Sequence, residues 1–147
     1  MSYWDTSALG KLYVPEPDSV NFEQKAAGTA AIVTTRFALY EMSRIAFRKE
    51  VEGSIPVRSA ESIASHLQQD LAAGQIRIID IDSRIEAEFN TVMAACYRNA
   101  RPLLVRTFDA IHLASARVSA ETEVVATDSR LREAAKLLGL SVFPPDL

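Results

Sequence analysis

The 147 residues include one cysteine, five glycines, two histidines and four lysines, and each scarcity removes a class of protein. Cys96 stands alone, so it can form neither an internal disulfide nor a multi-cysteine zinc site; a stapled secreted scaffold and a zinc ribbon are both excluded. The glycines are scattered at positions 10, 28, 53, 74 and 139, which leaves no glycine-rich loop to cradle a nucleotide's phosphates. No apolar run is long enough to span a bilayer. The opening MSYWDTSALGKLYV carries Asp5 and no basic segment, so neither a signal peptide nor an anchor is expected and a cytoplasmic location is. Positive charge is not in excess either: a net charge of -3 and a pI near 5.4 argue against a broad basic coat for nucleic acid, though not against a local site.

What the chain does have is core material, with 48% hydrophobic and 24% charged residues. At this length one domain over residues 1–147 is expected, burying roughly 70% of the surface of the unfolded chain. Short apolar runs alternate with amphipathic ones. Strands are predicted at 2–5, 30–34, 75–80, 123–127 and 140–143, where β-branched or aromatic residues cluster between turn signals. Helices are predicted at 6–14, 19–27, 36–52, 83–99, 107–119 and 128–138, with a further one opening at Pro56 and stopping at Gly74. Thr35 is read as the N-cap of the third helix. Strands alternating with helices imply an α/β fold, a three-layer sandwich around a central parallel sheet of about five strands. In such sheets ligands gather beyond the carboxyl ends of the strands, where the strand order reverses.

Carboxylates stand at those ends. Asp5 closes the first strand and Asp128 follows Val124, Val125 and Ala126, so the two share a crevice if their strands are neighbours. Both also occupy N-cap positions, for which Asp is well suited without any other role. Glu41 falls between Phe37 and Ile45 on the flank of an apolar stripe, where a carboxylate needs a cation, a donor or a metal; an ion pair with Arg44 three residues on is the plain alternative. Asp109 lies in the first turn of its helix, where the macrodipole favours any acid. Together the four are hard-oxygen ligands of the type that hold Mg²⁺ or Mn²⁺, and spacing alone does not show that they converge.

Four blocks, YWDTSAL, TTRFALYEMSR, RTFDAIHLASA and VVATDSRLREAAKLLGL, resemble in order and spacing the signature blocks of PIN-domain ribonucleases, and most nearly the VapC toxins of bacterial type II toxin–antitoxin pairs. The resemblance runs from Tyr3 to about Val142. Residues 53–77 match only in being helical, and Tyr3 and Trp4 stand where that family commonly has Ile, Leu or Val. The resemblance implies a metal-dependent endoribonuclease, with Asp5, Glu41, Asp109 and Asp128 as the acidic quartet and Asp5 and Asp109 as direct ligands. It also implies that Ser7 and Thr127 orient those carboxylates, that a small antitoxin protein inhibits the enzyme, and that the chain forms a homodimer. Setting the quartet aside leaves 15 acids against 16 cations, so the acidic pI ceases to oppose an RNA substrate.

Candidate phosphate contacts are Arg36 and Arg44 beside Glu41, Arg98, Arg101 and Arg106 leading into Asp109, and Lys11 in the first helix, any of which can equally be a solvated surface cation. His112 is not read as a general base, because no second histidine or cysteine accompanies it and water activated by a metal needs none. His66 lies on a polar helix face, and Cys96 is read as a small buried hydrophobe. Two other readings compete. Asp5 beside Mg²⁺ also suits a covalent phosphoryl acceptor, as in aspartyl phosphatases and receiver domains, but Ser7 stands where a second Asp is wanted and no late lysine is well placed. A non-catalytic interaction module would use the acids only as helix caps.

Overall fold

Alternation along the first strand, β1 (Ser2–Trp4), sends Tyr3 to one face of the sheet and Trp4 to the other, and both are fully buried. Each ring buries about 200 Å², worth about 5 kcal/mol at about 25 cal/mol per Å², so two aromatic pillars replace aliphatic residues at the centre of the fold. The computed structural model describes residues 1–147. After β1 come α1 (Thr6–Gly10), α2 (Ser19–Ala27), β2 (Ile32–Thr35), α3 (Arg36–Val51), α4 (Ser59–Ala72) and β3 (Ile76–Ile79). The chain continues through α5 (Ser83–Tyr97), α6 (Thr107–Val118), β4 (Glu123–Val125), α7 (Ser129–Leu137) and β5 (Ser141–Phe143).

The five strands are all parallel, in the order β3-β2-β1-β4-β5. Two cores cover the sheet. Tyr3, Val33 and Val124 pack with Ile85, Val92, Leu113 and Leu131 of α5, α6 and α7. Trp4, Ile32 and Val125 pack with Leu9, Phe22, Met42 and Ile63 of α1 to α4. This is the expected three-layer α/β sandwich. The order reverses between β1 and β4, which register Tyr3 against Val124 and Trp4 against Val125, so the crevice of a switch point lies between Asp5 and Asp128.

Two boundaries differ from the sequence reading by three residues or more, for local reasons. The first helix ends at Gly10 rather than Val14, because the N–H groups of Lys11, Leu12 and Tyr13 bond three residues back and tighten the chain into turns ahead of Pro15. The fourth helix opens at Ser59 rather than at Pro56. Arg58 is left-handed (φ 68°), and the N-terminus is capped from outside by Glu50 of α3, whose carboxylate accepts from Ala60 N at 2.7 Å.

Candidate active site

Asp5 follows β1 and its backbone N–H extends the ladder to Val125 O at 3.0 Å, which fixes the side chain at the strand end. One oxygen accepts from Ala8 N at 2.8 Å, so the residue is an N-cap as well. Ser7 Oγ lies 2.8 and 2.7 Å from the two carboxylate oxygens and accepts in turn from the backbone N–H of Thr127 at 3.1 Å. Ser7 thus orients an acid as expected. Thr127 acts through its backbone on Ser7, and its hydroxyl touches no carboxylate, because β4 ends by presenting its amide to the site. Asp5 is only 4% exposed, and burial pushes its carboxyl up to about 6, with the Asp128 charge adding to the rise while His112, Ser7 and the Ala8 amide oppose it.

Glu41 sits in the second turn of α3 and is held by residues other than Arg44. Thr6 Oγ1 donates to its Oε1 at 2.7 Å and His112 Nε2 lies 3.0 Å from the same atom. Burial pushes the Glu41 carboxyl up, but the His112 bond and charge and the Thr6 bond outweigh it, so the group lies below its ordinary value. On its other side His112 Nδ1 meets Tyr3 OH at 2.8 Å. Both ring nitrogens of His112 are thus engaged, Nδ1 by the Tyr3 hydroxyl and Nε2 by Glu41 and, at 3.2 Å, by Thr6 Oγ1. Buried Tyr3, the middle residue of β1, therefore has a polar function as well as a packing one. His112, Thr6 and Tyr3 were not assigned to the site from sequence. The available signal was the position of His112, three residues after Asp109 and so on the same face of α6.

Asp109 is the third residue of α6 and is buried. Its Oδ2 accepts from Arg106 N at 3.1 Å, the reaching-back half of a capping box, and from Arg106 Nε at 2.9 Å. The same guanidinium continues to Asp128 Oδ2 at 3.2 Å, while Asp128 Oδ1 caps α7 by accepting from Leu131 N at 2.9 Å. Arg106 is thus an internal cation between two of the four acids.

All four carboxylates reach one rim of the sheet, yet no three His, Cys, Asp or Glu side chains stand close enough to share one ion. The expected gathering is therefore incomplete in this arrangement, with Arg106 clamping Asp109 and Asp128, and Thr6 and His112 holding Glu41. The donor set nonetheless suits a hard divalent cation. It offers carboxylate oxygens only, one of them on a buried acid whose ionised form lacks a cation in contact.

The remaining cations fare differently. Arg36 pairs with Asp80 beyond β3 at 2.7 Å, and Lys11 bonds Glu16 and Asp18 (2.8 Å to the latter), so neither is free at the crevice. Lys11 does line a small cavity of about 180 Å³ with Thr6, Ser7 and Thr127. Arg44 and Arg101 are exposed, and Arg44 is near enough to Glu41 to lower its pKa. Cys96 is buried among apolar residues, and burial pushes its thiol up, as befits an inert side chain. Arg132 is buried without a carboxylate and donates to Ala126 O at 2.8 Å and to Pro144 O, tying the end of β4 to the last residues of the chain.

A family model described as PIN domain matches residues 2–137. Ribonuclease VapC46 of Mycobacterium tuberculosis is 30% identical over 145 residues, covering 97% of this chain and 96% of that protein. Among solved structures, FitAcB from Neisseria gonorrhoeae superposes with a TM-score of 0.70 at 16% identity, covering 99% of this chain and 98% of that one. VapC20 of Mycobacterium tuberculosis, a toxin that cleaves the Sarcin-Ricin loop, gives 0.68 at 17%, covering 91% and 95%. The solved structures share the fold, and the family match spans every strand and helix that brings the four acids to one rim except the last strand: the chain belongs to the PIN-domain family.

Proposed function

We propose that this protein is the toxin of a toxin–antitoxin pair, an endoribonuclease that hydrolyses RNA phosphodiesters with a divalent metal, Mg²⁺ or Mn²⁺. The observation that carries the reading is the crevice at the β1–β4 switch point, where Asp5 is buried and its carboxyl is pushed up to about 6 beside Asp128. A buried acid kept off its ordinary pKa at a ligand-binding rim is a site that gains by binding a cation. Asp5 and Asp109 would hold the metal, with Glu41 and Asp128 completing its surroundings. Such an ion, when bound, lowers the pKa of water and offsets the charge that develops on the phosphate.

The chain's own residues prepare that chemistry. Ser7, itself fixed by the Thr127 amide, sets the Asp5 carboxylate in one orientation. Thr6 and His112 fix Glu41 while Tyr3 fixes His112, so no acid at the rim has to find its rotamer when substrate arrives. Arg106 holds Asp109 and Asp128 before the metal does and is placed to move to a phosphate oxygen once they are claimed. A covalent phosphoryl acceptor is less well served, since Lys11 is engaged by Glu16 and Asp18 rather than by Asp5. For the antitoxin, the receiving surface is the apolar groove of about 380 Å³ between α3 and α4, lined by Leu39, Met42, Ala46, Ile63 and Leu67, which has the shape and chemistry to take an amphipathic helix. Self-association in the cytoplasm belongs to the same reading. Manganese titration tests it: the wild type binds Mn²⁺ and Asp5→Asn loses that binding, whereas a module whose acids only cap helices shows no specific binding in either.

A further inference from the structure

Three aromatic side chains stand beside the acids and take no part in holding them. The ring of Phe37 lies 5.5 Å from that of Phe108 and 6.1 Å from that of Tyr40, centroid to centroid. Phe108 immediately precedes Asp109, and Phe37 lies one helical turn before Glu41, so the cluster is set within a turn of two of the four carboxylates. Phe108 is 48% and Tyr40 64% exposed, whereas Phe22 of the core is fully buried. The rings are inclined to one another, Phe37 by 53° to Phe108 and by 72° to Tyr40, so each exposed ring offers its own apolar face that the fold leaves uncovered.

The charge around the rings selects the occupant. Arg44 and Arg106 are exposed: Arg44 lies one turn beyond Tyr40 in α3 and Arg106 precedes Phe108 at the start of α6, whereas Arg36 is held by Asp80. A π face bordered by guanidinium groups is complementary to a nucleotide, whose base stacks while its phosphates meet the cations. The groove between α3 and α4 adjoins these rings through Tyr40, which lines it as well; Arg36 is its only charge and the rest of its lining is mostly apolar, so it suits an apolar helix instead. We propose that Phe37, Tyr40 and Phe108 form a stacking platform for the base of an unpaired nucleotide next to the scissile phosphate. The proposal rests on the ribonuclease reading and deepens it, because it assigns the residues that select unpaired over duplex RNA. In a duplex the bases are stacked on one another and have no face to give. Stacking tolerates any base, so the platform fixes strandedness and leaves sequence preference to other contacts.

The test uses the whole chain with Mn²⁺ and a random-sequence single-stranded RNA pool. Phe108→Leu and Tyr40→Leu should each raise KM for cleavage by about 5- to 150-fold with kcat nearly held, while Tyr40→Phe stays near wild type. Ultraviolet crosslinking should attach RNA to peptides containing Phe37, Tyr40 or Phe108, and should weaken when the RNA is duplex. Unchanged KM in both leucine variants, or crosslinks confined to other peptides, overturns the platform. So does a fall in molar mass by light scattering with unchanged KM, which identifies the rings as a contact between copies. A wild type that cleaves structured RNAs but leaves the pool uncleaved overturns the platform, and one that cleaves neither overturns the ribonuclease reading itself.

Discussion

Replacing Asp5 by Asn should make the metal-free protein more stable relative to wild type as the pH rises. The Asp5 carboxyl titrates near 6 when folded and 3.8 in its reference state, chiefly because burial disfavours the charge. A folded pKa above the unfolded one means that the stability contributed by the protonated acid is complete below about 3.8 and is lost as the pH rises through 6. The full loss is about 3 kcal/mol at about 1.4 kcal/mol per pH unit. Between about pH 4.5 and pH 7.5 the part that is lost comes to about 2 kcal/mol, because the unfolded acid is already largely ionised at the lower value. Asn cannot ionise and still caps a helix well, so it keeps the bond from Ala8 N while abolishing the titration. Urea unfolding of both proteins in a chelating buffer at the two pH values measures the difference. Wild type should lose about 2 kcal/mol against the variant, and Mg²⁺ at the higher pH should restore wild type only. A wild type and variant whose stabilities run parallel across this range would refute the reasoning, since Asp5 would then be ionised in the fold at no cost.

Other substitutions probe the neighbours. Arg106→Met frees Asp109 and Asp128 and should tighten Mn²⁺ binding by up to about fivefold in calorimetry, a modest change because the guanidinium is largely exposed; weaker binding would show that it does not compete with metal. His112→Phe leaves the Tyr3 hydroxyl and Glu41 without their shared partner and should cost about 1–3 kcal/mol in chemical unfolding, with His112→Gln recovering part; no loss from the phenylalanine would remove the network from the account. Arg132→Ala should cost about 3 kcal/mol, as two carbonyls lose their donor and a cavity opens, and an unchanged midpoint would show that the buried cation ties nothing down.

Much of this arrangement was legible in the chain because it obeys local rules. Val124, Val125 and Ala126 announce a buried strand, Asp128 and Asp5 announce caps, and strands alternating with helices announce a parallel sheet; that β1 and β4 are neighbours, the condition for the two acids to share a crevice, comes from the fold. What was hidden depends on contacts between distant residues. Glu41 looked like a partner for Arg44 at helical spacing, but the fold brings it His112 from 71 residues away, and no local pattern encodes that distance. Lys11 and Arg36 were plausible phosphate contacts until the positions of Glu16, Asp18 and Asp80 engaged them. Tyr3 looked like a departure from an aliphatic strand; its ring fills the same space and its hydroxyl holds the histidine that holds Glu41. The burial of Arg132 has no sequence signal, because nothing in the spacing reveals that the last residues of the chain pass over it.

Cleavage of structured RNAs by purified protein with Mg²⁺ or Mn²⁺, wild type against Asp109→Asn, tests the central claim most directly. Asn keeps the size of the side chain and an acceptor oxygen for the Arg106 amide, so the fold is retained while the charge at the proposed metal site falls by one. Metal-dependent cleavage by wild type is expected, with its loss on adding chelator and its absence in the variant. Equal cleavage by both proteins would contradict the assignment of the acids to catalysis.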